Sequence, residues 1–153
     1  MGRLTTFNLL YPPFKSRIEA ALHESQKAGY PVRPFETIRL DSRQGALFAK
    51  GRTQPGPRVT NAAPGYSYHK YGVATDVAMY RDGMWSWEPE RDFITMADIF
   101  QKHGLYWLGV TGYELVHYQM AGLPKVHVLK GIYDTSGLEG VWLYLDEIYG
   151  GKK

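Results

Sequence analysis

The stretch that most constrains this chain is S-Y-H-K-Y-G-V-A-T-D, residues 67–76, in which His69 and Asp76 stand seven positions apart on either side of Gly72. A regular strand would point the two side chains to opposite faces, because side chains alternate along a strand. A helix is disfavoured, since a glycine and β-branched neighbours are weak helix formers. The stretch therefore predicts a turn at Gly72 that leads into a strand carrying Asp76. Such a bend can direct His69 and Asp76 toward one metal ion.

The chain has 153 residues and no cysteine. This length is enough for one domain with a buried core, and we expect a single domain over residues 1–153. The absence of cysteine excludes disulfides and thiolate metal sites. A metal site in this chain must use histidine and carboxylate ligands.

The charge is weakly positive, with 18 Lys and Arg against 15 Asp and Glu and a net charge of +3. The basic residues are dispersed, so we expect no nucleic-acid partner, although polyanionic surfaces are favoured. No apolar run is long enough for a membrane span or a signal peptide, so synthesis in a cytoplasm and no membrane insertion are expected. A monomer is also expected.

Helices and strands alternate in the predicted order α, β, α, β-hairpin, α, β, α. Hydrophobic periodicity and proline or glycine boundaries predict helices over residues 12–27, from Asp41 or Ser42 to about 51, from Pro89 to about 103, and through Leu138 to Tyr149. Strands are predicted over 32–40, 73–80, 84–87 and 114–120, with a hairpin at Asp82-Gly83. This order indicates an α+β fold with a small, mainly antiparallel sheet flanked by helices.

Residues 52–66 contain three prolines and two glycines and are predicted to form no regular element. Irregular segments of this length inside a compact domain are frequently functional.

Two of the five histidines have a carboxylate at short range: His69 with Asp76, and His117 with Glu114. A turn around Leu115 would let His117 bind a metal while Glu114 stands beside it. Two histidines, one carboxylate and an open water position are a common catalytic zinc shell, and a separate glutamate can act as its general base. The alternative is that these groups satisfy hydrogen bonds in the core.

The other histidines have ordinary explanations. His23 is predicted to be solvated on a helix, and His103 to stabilise the last turn of a helix as a cation. His127, in the run K-V-H-V, is predicted to lie on the surface of a strand.

The stretch S-Y-H-K-Y-G-V-A-T-D resembles the S-x-H-x-x-G-x-A-x-D signature of zinc peptidases that cleave peptidoglycan stem peptides. These comprise D-alanyl-D-alanine carboxypeptidases and dipeptidases and L-alanyl-D-glutamate endopeptidases of phages and bacilli. E-L-V-H at residues 114–117 is similar to their second signature, and V-T-N-A at residues 59–62 is similar to the endopeptidase branch. The resemblance covers residues 12–120 and implies the hedgehog-type fold of D-alanyl-D-alanine peptidases.

The resemblance also implies roles for four residues of the two signatures. His69, Asp76 and His117 correspond to the ligands of a Zn²⁺ ion, and Glu114 corresponds to the catalytic base.

Three further residues match the family pattern: Arg39 and Gln44 lie upstream, and Ser67 begins the first signature. Arg39 would steady the carbonyl oxygen or a substrate carboxylate, and its alternative is a surface salt bridge. Ser67 and Gln44 are expected at the substrate-binding site. Ser67 could form a hydrogen bond next to the metal site or only shape the turn, and both roles stay open. For Gln44 a purely structural role stays open.

The resemblance predicts a zinc endopeptidase that cleaves the L-alanyl-D-glutamate bond of a peptidoglycan stem peptide. The expected context is a phage endolysin of one domain, without a separate cell-wall-binding domain, that acts on the wall in the periplasm. The alternatives are a D-alanyl-D-alanine carboxypeptidase and a non-catalytic zinc-containing binding module. The binding module predicts loss of the base, whereas Glu114 is present.

Overall fold

The structure is a computed structural model that describes residues 2–112 and 114–150. Within these ranges the helices are α1 (Pro12–Lys27), α2 (Asp41–Ala49), α3 (Glu90–Lys102) and α4 (Val126–Tyr149). The strands are β1 (Val32–Glu36), β2 (Ala74–Arg81), β3 (Met84–Ser86), β4 (Leu105–Trp107) and β5 (His117–Met120). The predicted α+β class with a small antiparallel sheet is confirmed.

Strand β2 is the centre of the sheet. The strand order is β1-β2-β5-β4, β3 also pairs with β2, and the pairs are antiparallel. In this register Asp76 lies opposite Glu36 on β1 and opposite His117 on β5. Directly opposite residues share a face of the sheet, so the three side chains lie on the same face.

The two faces of the sheet have different surroundings. Val77 and Met79 of β2 are fully buried in the hydrophobic core, together with Phe14 of α1 and Phe93 of α3. Because side chains alternate along a strand, the face that carries Asp76 points away from this core. We call it the site face. The packed core thus leaves one side of the sheet for polar groups.

Two predicted strands are shorter than expected. Strand β1 ends at Glu36, because the next residues bond elsewhere: Thr37 N–H donates to Leu4 O at 2.8 Å and Arg39 N–H donates to His69 O at 3.1 Å. Strand β5 begins at His117, after a turn at residues 115–116. The three-residue strand β4 was not predicted, because it is too short to show a periodic pattern.

Helix boundaries also differ from expectation. The predicted side-chain cap of α2 is wrong: Leu40 is the N-cap, no side chain caps the helix, and Asp41 instead pairs with Lys70 at 2.7 Å. The predicted strand position of His127 is also wrong, because α4 begins at Val126 and its apolar residues continue at helical spacing, with Leu129 fully buried. No helix in the described ranges has the length and apolar character that crossing a membrane requires.

The predicted turn before β2 is confirmed at Gly72. A 3-10 turn over Tyr68–Tyr71 ends at this glycine, whose φ is +74°. The Gly72 carbonyl accepts a hydrogen bond from Tyr11 N–H at 2.9 Å. A Cβ at this position would lie 2.7 Å from Leu9 O and 3.0 Å from Tyr11 N. Only glycine suits both the backbone conformation and the close approach of residues 9–11.

We expect Gly72→Ala to destabilise the protein more than Gly83→Ala. Both glycines have positive φ, +74° and +78°, but a Cβ at Gly83 meets no atom within 4 Å. Gly83→Ala, the control, should therefore lower the free energy of unfolding only by the cost of the left-handed conformation, about 1–2 kcal/mol. Gly72→Ala adds to this cost a clash with backbone atoms. Urea unfolding followed by circular dichroism measures both. Equal losses would show that the chain before α1 can move away from Gly72 without cost.

Candidate metal centre

His69 is held in the 3-10 turn with one ring nitrogen already occupied. Ser67 Oγ accepts from His69 N–H at 3.3 Å and so caps the turn. The ring Nδ1 lies 2.7 Å from Thr37 O. A carbonyl only accepts hydrogen bonds, so Nδ1 carries the proton and the neutral ring presents the lone pair of Nε2. His69 is 2% exposed, so this orientation is fixed by its surroundings.

Asp76 and His117 meet across the β2–β5 pair on the site face. His117 Nε2 lies 2.9 Å from Gln119 Oε1, two residues along the same face of β5. With the amide oxygen as acceptor, Nε2 carries the proton and Nδ1 presents its lone pair. The far side of each histidine ring is therefore hydrogen-bonded, an arrangement typical of metal-binding histidines.

The three side chains converge on one point. Asp76 Oδ1 lies 3.3 Å from His69 Nε2 and 3.3 Å from His117 Nδ1, and one ligand atom from each residue lies within 4.8 Å of the others. Oδ1 is buried and has no hydrogen-bond donor in bonding geometry among the described residues. Three lone pairs so placed repel one another unless a cation lies between them. The donor set therefore fits a metal ion, and two imidazoles with a carboxylate suit zinc.

The same closeness shifts the pKa values of the cluster. Burial alone would raise the pKa of Asp76, but the charges of His69 and His117 beside it hold that pKa well below its usual range. Burial would lower the pKa of His117, yet the adjacent carboxylate of Asp76, with a smaller contribution from Glu114, raises it. A proton on His117 Nδ1 is thus held more tightly than usual, and it would compete with a metal ion for the same nitrogen.

Glu114 stands beside the cluster rather than within it. Its Oε2 lies 3.5 Å from His117 Nδ1, and its side chain is 49% exposed. The predicted turn around Leu115 is present, and Trp107 Nε1 donates to Leu115 O at 2.9 Å. Trp107 thus anchors the turn that brings Glu114 next to His117. Sequence reasoning did not assign this role to Trp107.

Arg39 belongs to a partly buried ion network. Its Nη2 lies 2.8 Å from Glu36 Oε1 and 3.4 Å from Asp76 Oδ2, and its side chain is 11% exposed. Arg43 contacts the other oxygen of Glu36 at 3.0 Å. The ion pair of the predicted alternative is present, but it is largely shielded from solvent instead of lying on the surface, and the role of Arg39 toward substrate stays a prediction. Glu36 is 2% exposed and was not singled out from the sequence.

A cavity of about 630 Å³ opens over the cluster. Residues 58–62 of the predicted irregular segment line one part of it, and Leu108 and Gly112 line another. Arg39, Ser67 and Glu114 also line the cavity. Part of the predicted irregular segment thus lies beside the cluster.

Gln44 lies behind Arg39. It is 1% exposed, its Oε1 accepts from Arg39 Nη1 at 3.2 Å, and its Nε2 donates to Ala62 O at 2.6 Å. It connects the arginine to the cavity segment 58–62. These contacts favour the structural alternative for Gln44, and direct contact with substrate stays a prediction.

The other histidines lie outside the cluster. His23 and His127 are exposed. His103 is the C-cap residue of α3, and its Nε2 lies 2.9 Å from Glu24 Oε1, so a hydrogen bond connects this helix end to α1.

Some residues that orient the cluster were not predicted. Gln119 could have been found, because it lies two residues from His117 on the same strand face. Thr37 left no signal, since it acts through a backbone carbonyl 32 positions away in sequence.

The cluster lies in a segment of the chain that is similar to known proteins. A family model described as D-alanyl-D-alanine carboxypeptidase matches residues 60–120, which include all three cluster residues and Glu114. The peptidoglycan L-alanyl-D-glutamate endopeptidase CwlK of Bacillus subtilis strain 168 is 32% identical over 109 residues. The match covers 65% of this chain and 65% of CwlK, so about a third of CwlK lies outside it.

Solved structures share the fold. The Serratia marcescens L-Ala D-Glu endopeptidase ChiX superposes with a TM-score of 0.56 at 22% identity, covering 78% of this chain and 90% of ChiX. A variant of the vancomycin resistance D,D-pentapeptidase VanY, solved in complex with Zn(II), has a TM-score of 0.54 at 17% identity, covering 84% of this chain and 80% of VanY. The predicted hedgehog-type peptidase fold is confirmed.

We expect the purified protein to bind one divalent transition-metal ion at neutral pH, and His117→Ala to abolish this binding. Gln119→Ala should weaken it about 10–100-fold, because the amide orients the ligand ring. His127→Ala, which changes an exposed histidine, is the matched control and should bind as wild type does. Isothermal titration with Zn²⁺ and the absorption spectrum of the Co²⁺ form measure the affinities.

Metal affinity should fall as the pH is lowered. The pKa of His117 is raised above its ordinary value, so protons compete for its Nδ1 from neutral pH downward. The pKa of Asp76 is lowered, so its carboxylate stays ionised over this range. An affinity that does not change between pH 8 and about 6, the region of histidine titration, would exclude His117 as a ligand.

Proposed function

We propose that this protein is a zinc endopeptidase that hydrolyses the L-alanyl-D-glutamate bond of peptidoglycan stem peptides, because residues 60–120 match the D-alanyl-D-alanine carboxypeptidase family model and the chain is 32% identical to CwlK over 109 residues. The convergence of His69, Asp76 and His117 in a cavity that also holds Glu114 is the observation on which this activity rests. The likeness to CwlK, whose name states this bond, favours it over other bonds of the stem peptide.

In this proposal Nε2 of His69, Oδ1 of Asp76 and Nδ1 of His117 hold the zinc ion. When bound, zinc supplies Lewis-acid chemistry that activates water and stabilises negative charge on a peptide carbonyl. The chain contributes the orientation of the ligands: Thr37 O and Gln119 Oε1 occupy the far nitrogens of the two rings, so the near nitrogens are unprotonated.

Glu114 is the proposed general base. Its carboxylate lies next to His117 but is half exposed, so it can reach a water molecule and a substrate in the cavity. It would take a proton from the attacking water on a carboxylate oxygen and deliver that proton to the leaving amine of D-glutamate. The bond between the L-alanyl carbonyl and this nitrogen breaks, and the products are a carboxylate and an amine.

Arg39 is proposed to stabilise the negative charge that develops on the carbonyl oxygen. Glu36 and Gln44 hold its guanidinium at the cavity wall. The arginine side chain therefore loses little conformational freedom when the transition state forms. A grip on a substrate carboxylate is the alternative role, and the kinetic test below separates the two. Ser67, which lines the cavity, is a proposed substrate contact in addition to its cap on the turn.

The proposed biological role is that of an endolysin. The protein would be made in the cytoplasm of the host, act as a monomer of one domain, and reach its substrate in the periplasm. A net charge of +3 supports adsorption to the anionic polymers of a bacterial envelope.

A D-alanyl-D-alanine carboxypeptidase is the second candidate, and the description of the matched family favours it. It would use the same metal cluster and base. The two activities differ in product: the carboxypeptidase releases free D-alanine, whereas the endopeptidase leaves L-alanine on the muramoyl group and frees a peptide that begins with D-glutamate.

We expect digestion of purified peptidoglycan to yield peptides with an N-terminal D-glutamate, detected by mass spectrometry of the soluble fraction. Glu114→Gln should keep zinc and the fold but lose about 10²–10⁴-fold in turnover, the usual contribution of a general base. Glu19→Gln, which changes an exposed carboxylate on α1, is the matched control. Release of free D-alanine alone would select the carboxypeptidase, and a fully active Glu114→Gln enzyme would move the base to another residue.

Arg39→Ala should lower kcat about 10²–10³-fold with little change in KM, because the proposed contact strengthens only in the transition state. Arg39→Lys should recover part of kcat, since a single ammonium cannot reproduce the planar guanidinium. Arg91→Ala, at an exposed arginine on α3, is the control. A rise in KM with unchanged kcat would instead assign Arg39 to a substrate carboxylate. Circular dichroism should verify folding of each variant, because Arg39→Ala leaves the buried Glu36 with fewer partners.

A further inference from the structure

The site face carries a group of aromatic side chains beyond the metal cluster. Phe35 packs edge-on against Trp85 at 5.0 Å and against Trp87 at 5.3 Å between ring centroids. Tyr80 lies 5.2 Å from Trp85. We call Phe35, Tyr80, Trp85 and Trp87 the aromatic platform. The pairing of β1 with β2 is irregular between Pro34 and Glu36, and Phe35 lies at this irregularity.

Two arginines lie over the aromatic platform. The guanidinium carbon of Arg3 is 3.8 Å from the centre of the Phe35 ring, and that of Arg33 is 4.0 Å from the centre of the Tyr80 ring. Among the described residues neither guanidinium forms an ion pair with a carboxylate, and Arg3 bonds through Nε to Phe35 O at 3.1 Å. Guanidinium N–H groups therefore remain for a ligand.

The aromatic platform is open to solvent. Trp87 is 47% exposed, and the neighbouring Met84 is 68% exposed. Exposed aromatic and apolar side chains grouped in this way, rimmed by cations, are typical of a binding surface.

The aromatic platform lies on the same face of β2 as Asp76, beyond the buried Ala78. Along β2 the site face carries Asp76, then Ala78, then Tyr80, and Arg33 lies opposite Ala78 while Trp85 lies opposite Tyr80. Asp76 and Tyr80 are four residues apart, which is about 13 Å along a strand. The platform therefore begins within one short stretch of strand from the proposed catalytic site.

We propose that the aromatic platform binds the glycan strand of peptidoglycan while the attached stem peptide lies at the metal centre. This inference rests on the proposed function. Pyranose rings present an apolar face of C–H groups that packs on aromatic rings, whereas their hydroxyl and acetamido oxygens accept hydrogen bonds from arginine. Phe35, Trp87 and Arg33 together offer both kinds of contact.

The near edge of the platform suits the bond whose cleavage is proposed, because Phe35 is next to Glu36, which lies opposite Asp76. One residue and a lactyl group separate the L-alanyl-D-glutamate bond from the sugar, and an extended residue spans about 3.5 Å. The sugar therefore lies close enough to the scissile bond to reach the platform. The D-alanyl-D-alanine bond lies three residues farther from the glycan, about 10 Å more. The platform thus suits cleavage near the glycan better than cleavage at the end of the stem peptide.

Binding to glycan can be measured without catalysis. Isothermal titration of the holoprotein with glycan strands freed of peptide by an amidase should give measurable affinity for wild type. Trp87→Ala should weaken it about five- to tenfold, the range expected from losing one stacked ring, and Trp87→Phe should weaken it only about twofold. Ile94→Ala is the matched control, because Ile94 is 49% exposed and lies on α3.

Activity on two substrates separates this inference from the proposed function. On a soluble stem peptide without glycan, Trp87→Ala should equal wild type in kcat/KM, whereas on intact peptidoglycan its KM should rise. If wild type cleaves neither substrate, the proposed function fails, and the titration with glycan still decides the role of the platform.

Three results would overturn the proposal. They are no affinity of wild type for peptide-free glycan, equal affinity of wild type and Trp87→Ala, and an equal loss of activity of Trp87→Ala on both substrates. Trp87-dependent binding to phosphatidylglycerol vesicles without binding to glycan would also overturn it, and would identify the platform as a membrane-surface contact.

Discussion

The metal centre depends on how β5 is held against β2, and the burial of Tyr118 determines that arrangement. Tyr118 is fully buried and stacks on Phe100 of α3 at 4.1 Å between ring centroids. Because side chains alternate along a strand, placing Tyr118 in the core turns His117 toward the opposite face. A shift of one residue would send His117 into the core and remove it from Asp76. The hydrophobic core thus sets the position of a polar ligand that it does not touch.

The electrostatics of the cluster follow from hydrogen bonds on its outer side. Thr37 O and Gln119 Oε1 each occupy the far nitrogen of a histidine ring, so both near nitrogens face Asp76 without a proton when the rings are neutral. Without a metal the cluster gains the missing charge by taking up a proton, which agrees with the raised pKa of His117. Metal and proton therefore compete for the same space, and the fold supplies the negative charge and lone pairs in either case.

Local signals made a large part of this arrangement predictable. The turn at Gly72, the strand that carries Asp76 and the helical periodicity of α1 and α3 depend on neighbouring residues, and each is present in the structure. What was missed depends on long-range contact: Glu36 meets Arg39 and Arg43 only because β1 ends there, and Thr37 acts through its backbone. Contacts of this kind leave no periodic pattern in a single sequence.

Arg39 contacts both Glu36 and Asp76, and its contact with Asp76 restricts how that carboxylate can bind a metal. Its guanidinium lies 3.4 Å from Oδ2 of Asp76, while Oδ1 faces both histidines at 3.3 Å. A carboxylate whose second oxygen is drawn to a cation offers a single oxygen to a metal. Three donor atoms then converge from the chain, and a tetrahedral ion would retain a fourth position. The buried carboxylate of Glu36 supports this division, because it holds Nη2 of Arg39 at 2.8 Å, closer than Asp76 does, and so takes up much of the charge of the guanidinium.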